Sequence, residues 1–172
     1  MGTLSKTYRP KEVYAHFLGK RIKGFGTDDM ISISPISNDV WNEHIGVAGE
    51  ITRSQNHEAE HYEVSFTLKH SSPSLWWLES FRAADKNGMI PDLVDISPLT
   101  ILEKGDRGGF ACVTSWIKNE PDTEYGTDAP EFEYTMLAAH GKIFRQTRAK
   151  QRIERFLSEF GASNPSEFIQ TF

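Results

Sequence analysis

The chain has one cysteine, Cys112, in 172 residues. A lone thiol excludes an internal disulfide framework and fits a reducing compartment. No run approaches the ~18 apolar residues of a membrane-spanning helix, so no membrane partner is expected. The opening "MGTLSKTYRPKEVY" lacks the apolar centre of a signal peptide, so synthesis and use without a secretion signal are expected. Lys6 stands where N-myristoylation needs Ser or Thr. Internal repeats and low-complexity segments are missing. Glycine-rich phosphate loops are missing too: "GFG" and "GDRGG" fit neither G-x-G-x-x-G nor a Walker loop, and each is explained by a turn. Lys142 to Arg155 holds six bases and one acid, a net of +5, which leaves −10 on the rest of a chain whose total is −5. That acidic body argues against a nucleic-acid grip, because phosphate binding needs clustered cations.

What is present is a globular composition, 38% hydrophobic, 25% charged and 12% aromatic, enough for one core. Most of it reads as strand. "EVYAHFLG" opens a first strand, and "KGFGTDD" is a turn with permissive glycines at 24 and 26. In "MISISPI", Met30, Ser32 and Ser34 alternate with Ile31 and Ile33. "VWNEHIGVAGEITRS" is less regular and reads as a loop leading into a short strand. "HYEVSFTLKH" has the cleanest period of two: Tyr62, Val64, Phe66 and Leu68 against Glu63, Ser65, Thr67 and Lys69. A helix follows, with Ser72 as N-cap, Pro73 at the first helical position and Gly88 past the end. Trp77, Leu78, Phe81 and Ala84 form its stripe, and Trp76 points away. "LVDISPLTILEK" and "GGFACVTSWIKN" read as strands around the turn "KGDRGG"; the second is apolar on both faces, as a covered central strand should be. An acidic loop, "EPDTEYGTDAPE", leads to the strand "FEYTMLAAHGKIF". "RAKQRIERFLSEF" is an amphipathic helix with Ala149, Ile153, Phe156, Leu157 and Phe160 on one face, ended by Gly161. "SNPSEFIQTF" adds a short turn, capped by Asn164 with Pro165 next. The expected plan is mainly β: an antiparallel barrel or sandwich of six or seven strands, one helix between strands and a C-terminal amphipathic helix. Its expected divisions are an arm over 1–10, a β-rich domain over 11–146 and a basic helical extension over 147–172.

His57-Glu58-Ala59-Glu60-His61 is a literal H-E-x-x-H. A zinc hydrolase needs the two histidines one helical turn apart, roughly 6 Å between Cβ atoms. The period of two that follows places them instead in a loop or strand start, about 13 Å apart if extended. Cys112 lies in an apolar run and reads as an inert small hydrophobe, not a nucleophile. The acid pairs Glu58/Glu60 and Glu131/Glu133 lie in polar stretches with nothing to raise a pKa. No catalytic, cofactor or metal residue is expected. The basic run 142–155 has three readings: the solvated back of a helix, a docking surface for an acidic partner such as another copy, or nucleic-acid binding. Trp76 is either an interface residue or a second core contact.

Three ordered blocks across about residues 10–146 resemble the tail tube proteins of contractile-tailed bacteriophages, relatives of pyocin and type VI secretion tubes. They are the opening strand, turn and "MISISPISND"; "GVAGEITRSQNHEAEHYEVSFTLKHSSPSLWWL"; and "ACVTSWIKNEPDTEYGTDAPEFEYTMLAA". The resemblance implies a structural subunit without enzymatic activity. Six copies would form a ring with strands joined in an inner barrel, and rings would stack into a tube in a virion tail, made in the host cytoplasm. The implied partners are further copies, sheath protein, tape-measure protein, and baseplate and terminator proteins; DNA passes through the lumen without specific binding. Glu63, Ser65, Thr67 and Lys69 are then expected to face the lumen, where an acidic body repels phosphates. Trp76, Ile153, Phe156, Leu157 and Phe160 are expected at a subunit or sheath interface. The basic extension does not map onto the family pattern. Alternatives are a tube terminator or baseplate hub of the same fold, a zinc hydrolase through His57 and His61, and a nucleic-acid module through the basic segment.

Overall fold

The longest element is a 14-residue strand, Glu131–Phe144, and most of the structure is built around it. The computed structural model describes residues 13–26, 30–90, 97–104, 107–126, 128–145 and 148–161. The expected arm at 1–10, the turn residues 27–29 and 105–106, the start of "LVDISPLTILEK" at 93–96 and the turn at 162–172 lie outside those residues. The strands are β1 (Val13–Phe17), β2 (Lys20–Ile22), β3 (Ile31–Pro35), β4 (Trp41–Ile45), β5 (Ile51–Gln55), β6 (Tyr62–Lys69), β7 (Leu99–Glu103), β8 (Gly109–Ile117) and β9 (Glu131–Phe144); the helices are α1 (Leu75–Lys86) and α2 (Ala149–Glu159).

Among the described residues, seven strands form one antiparallel sheet in the order β2-β1-β7-β8-β9-β6-β3, while β4 and β5 pair only with each other. Past β2 the chain crosses to β6: Phe25 bridges Leu68, Lys69 N–H donates to Gly24 O at 2.9 Å, and Gly26 N–H donates to Thr67 O at 2.8 Å. The sheet thus curls back on itself without closing into a barrel ladder. Gly24 makes the crossing at φ +79, with a Cβ there meeting Ser72 backbone and side chain at 2.7–2.9 Å.

The alternation in β6 does what the sequence implies. Val64, Phe66 and Leu68 are buried, Tyr62 is half-buried, and the opposite residues are partly or fully exposed. They join Phe17, Leu99, Ile101, Phe110, Tyr134 and Met136 in the main core, which α1 covers with Leu78, Trp77 and Phe81. The opposite face of β7 and β8 carries a second cluster, Leu102 and Ala111 with Phe144, closed by Ala149, Ile153 and Leu157 of α2. Two helices on two faces explain why "FACVTSWI" is apolar on both sides.

Helix α1 starts later than the sequence implies. Its N-cap position is Ser74, not Ser72, and Ser74 makes no side-chain cap bond. Both hydroxyls bind Lys23: Ser72 Oγ donates to Lys23 O while accepting Ser74 N–H at 3.2 Å, and Ser74 Oγ accepts from Lys23 N–H at 2.8 Å, tying the helix start to the strand crossing. The C-terminus closes as Gly88 predicts. Gly88 (φ +64) donates to Asp85 O and Met89 N–H to Ala84 O, the paired bonds of a Schellman ending.

A feature not evident from the alternation pattern lies in β9. Tyr134, Met136 and Ala138 face the core, yet so does Ile143, five residues past Ala138. His140 adopts φ +51 and reverses the facing between the ladder pairs Cys112↔Gly141 and Thr114↔Ala139. β8 switches phase at the same level, so that Cys112 and Ile117 both reach the core. Gly141 permits this packing, since a Cβ there would sit 2.7 Å from Tyr62 and 3.0 Å from Phe110.

Candidate assembly surfaces

Residues 41–55, expected as a loop and one short strand, instead form a separate hairpin. The register Trp41↔Gln55, Glu43↔Arg53 and Ile45↔Ile51 places Trp41, Glu43 and Ile45 on one face with Arg53 and Ile51. All ten strand residues are exposed, with Ile45 at 74% and Ile51 at 67%. Arg53 lies over the Trp41 ring at 4.9 Å. The hairpin's base is pinned by Asn56, itself 8% exposed. Its Nδ2 donates to Ser37 Oγ and Asp39 O at 2.9 and 2.8 Å, its N–H to Val40 O, and its Oδ1 accepts Glu58 N–H at 3.1 Å. One buried amide therefore fixes the stalk of a projecting two-stranded arm. This uncovered face sets Trp41, Ile45 and Ile51 among the charges of Glu43 and Arg53, which makes it a candidate contact surface.

The second surface is the polar face of β3, β6 and β9. Ser32 stands across from Ser65 and Ser34 from Glu63. Ser65, Thr67 and Lys69 stand across from Thr135, Glu133 and Glu131. Glu63 accepts an ion pair from Lys118 at 2.8 Å. The row through Glu63 continues to Leu137 and then Trp116, 40% exposed, so this face is not uniformly polar.

The expected helical interface residues divide. Trp76 is 79% exposed on α1, and Phe160 is 46% exposed at the end of α2. Ile153 and Leu157, expected at a subunit or sheath contact, are instead buried within this chain, against Leu102, Ala111 and Phe144. Phe156 is half-buried beside the same cluster, 6.2 Å ring to ring from Phe144. The amphipathic stripe of α2 closes its own domain, because the outer face of β7 and β8 offers it a matching apolar surface. Among the described residues, segment 148–161 packs onto the β domain.

The residues considered for chemistry fall apart in space. His57–Glu60 is a 3₁₀ turn capped by Asn56, neither the α-helix of a zincin nor an extended strand. His61 Nδ1 accepts His140 N–H at 3.4 Å, and His140 Nδ1 lies 3.5 Å from Glu60. Among the described residues no three His, Cys, Asp or Glu side chains converge as a metal site, and no helix is long and apolar enough to cross a membrane. Cys112 is fully buried, and burial pushes its thiol up to about 12, far from a nucleophilic thiolate. Glu79 joins Tyr134 at 2.6 Å and Arg82 at 2.8 Å, and Arg82 reaches Glu120 at 3.2 Å. Burial raises the Glu79 pKa, but the Arg82 and Tyr134 hydrogen bonds outweigh it and hold the carboxyl below its usual range. This network fastens α1 to β9 and to the acidic loop.

No family model and no curated protein matches this chain. Solved structures do match in fold. A chain of the anti-feeding prophage cap, described as a tube-terminating cap, covers 84% of this chain and 95% of its own at 10% identity, with a TM-score of 0.56. A chain of the PVC sheath–tube complex of an extracellular contractile injection system, in its extended state, covers 83% and 94% at 13% identity, TM-score 0.57. A chain of the sheath/tube terminator of the PVC system covers 82% and 99% at 12% identity, TM-score 0.54. The likeness spans nearly the full length of each neighbour and is one of fold.

Proposed function

We propose that this chain is a self-assembling structural subunit of a contractile tail or injection particle, without catalytic activity. Copies form rings that stack into a tube inside a sheath, with tape-measure protein and DNA as lumen cargo and terminator and baseplate proteins at the ends. The observation that carries this reading is the β4–β5 hairpin, an apolar-faced arm on a rigid base, on a fold like that of tube-associated chains. A projecting arm reaches a neighbouring copy, and burying Ile45, Ile51 and Trp41 there supplies contact energy that the monomer forgoes. The edge strand β3 supports ring closure, because lateral pairing would satisfy its free backbone groups. The polar faces of β3, β6 and β9, with Glu63, Ser65, Thr67 and Lys69, then line the lumen.

A second reading, a tube terminator, is favoured by the two neighbours described as a cap and a terminator. Electron microscopy of purified protein separates the two: a tube subunit gives long hollow rods or stacked rings, a terminator gives single rings. The Ile45→Asp/Ile51→Asp variant should remain folded by circular dichroism yet fail to form either. Normal assemblies from that variant would refute the hairpin's role.

A further inference from the structure

Two charged grooves of opposite sign lie at opposite ends of β9. At its start, loop residues 119–126 and 128–130 and the first residues of β9 border a groove of about 500 Å³, with six carboxylates and no cation among the described lining residues. At its end, β9 and α2 border an open groove of about 690 Å³, where Lys142, Arg145, Arg152 and Arg155 surround Tyr62 and Phe156. Glu159 is the one acid in that lining, 3.4 Å from Arg155. Eleven residues separate Glu131 from Lys142 along one strand, roughly 36 Å at the extended rise. The acidic loop also carries Tyr125, 88% exposed and bare of cover, among acids of which only Glu120 is paired in the described structure.

We infer that the acidic loop 119–131 of one copy seats in the basic groove of the next, with Tyr125 entering against Tyr62 and Phe156. This deepens the self-assembly reading and rests on it for its biological setting. The occupant follows from complementarity. Five carboxylates on residues 119–131, with no base among them, meet four cations around an aromatic floor. An exposed tyrosine is the residue type that anchors such contacts. The loop and the groove are different patches at opposite ends of β9, so a head-to-tail contact repeated from copy to copy yields a ring or a stack. A polynucleotide would also meet cations in the groove, but it would approach a body whose remaining charge is −10.

The test uses a labelled peptide of residues 119–131 and the full chain carrying Asp122→Lys and Glu124→Lys, so that its own loop does not compete. Fluorescence anisotropy should show saturable binding, weakened roughly tenfold or more between 50 mM and 500 mM salt. Adding Arg152→Glu and Arg155→Glu to that receptor should weaken it by about a hundredfold or more, through like-charge contact. In the second arm, Arg152→Glu/Arg155→Glu alone and Asp122→Lys/Glu124→Lys alone should each lose self-association, and the fourfold charge-swapped chain should regain it. Absence of peptide binding, or tighter binding of an oligonucleotide than of the peptide, overturns the inference. Assembly that survives Arg152→Glu/Arg155→Glu overturns it while leaving the tube reading intact. Peptide binding by a chain that never forms rings or tubes would instead sustain the groove and remove the tube.

Discussion

Leu157→Ala tests whether α2 is core or docking surface. Leu157 is 1% exposed and shares a cluster with Leu102, Ala111, Phe144, Ala149 and Ile153. Truncating a fully buried leucine costs about 2–5 kcal/mol, depending on how well the cavity collapses. α2 is a surface helix of 11 residues packed on one side of the sheet, so it can settle inward, and a value of about 3 kcal/mol is expected. At roughly 2–4 °C per kcal/mol for a chain of this size, the melting temperature should fall by about 6–12 °C. Urea unfolding followed by tryptophan fluorescence measures the free energy, at dilutions where the midpoint no longer depends on concentration, because assembly would otherwise add to apparent stability. Phe160→Ala is the internal control: at 46% exposure it should cost under about 1 kcal/mol. If Leu157→Ala unfolds within about 0.5 kcal/mol of the parent, α2 is not docked on its own sheet and its apolar face is open to another chain.

Two further outcomes follow from single side chains. His16 is 3% exposed, its Nδ1 has no hydrogen-bond partner among the described residues, and burial, then the nearby Arg21, pushes its pKa below 6.5. The unfolded chain therefore takes up a proton that the fold refuses, so stability is unaffected well above pH 6.5 and falls as pH drops through 6.5 towards the folded pKa. His16→Gln should flatten that part of the pH–stability curve, and an unchanged slope would count against it. Gly141→Ala should cost about 1–3 kcal/mol by urea unfolding, since its methyl would press on Tyr62 at 2.7 Å and Phe110 at 3.0 Å; a neutral result would mean the rings yield freely.

Where one face is buried and the other wet, the sequence is easy to read. β6 shows it: the alternation of Tyr62, Val64, Phe66 and Leu68 with Glu63, Ser65, Thr67 and Lys69 is the alternation of the structure. The central position of β8 is legible for the same reason, since a strand covered on both faces loses its polar half. The phase reversal at His140 is not, because a single left-handed residue changes facing without changing composition; its one trace is the adjacent Gly141. The start of α1 was displaced because a serine hydroxyl satisfies a cap or a distant backbone group equally well, and Ser72 and Ser74 both serve Lys23.

The assembly residues show the deeper asymmetry. Amphipathicity states that a face will be covered but not by which chain. α2 has the stronger apolar stripe, and for that reason it is consumed at home: Ile153 and Leu157 find Leu102 and Ala111 on the same sheet. The hairpin has the weaker pattern, with Trp41, Ile45 and Ile51 interrupted by Glu43 and Arg53, and it stays uncovered. A fully apolar face left open would aggregate, whereas apolar anchors spaced by charges remain soluble until a matching surface is offered. Under the proposed self-assembly, the face to look for is therefore the moderately apolar one that the chain itself leaves unpaired, and that is the arm fixed by Asn56.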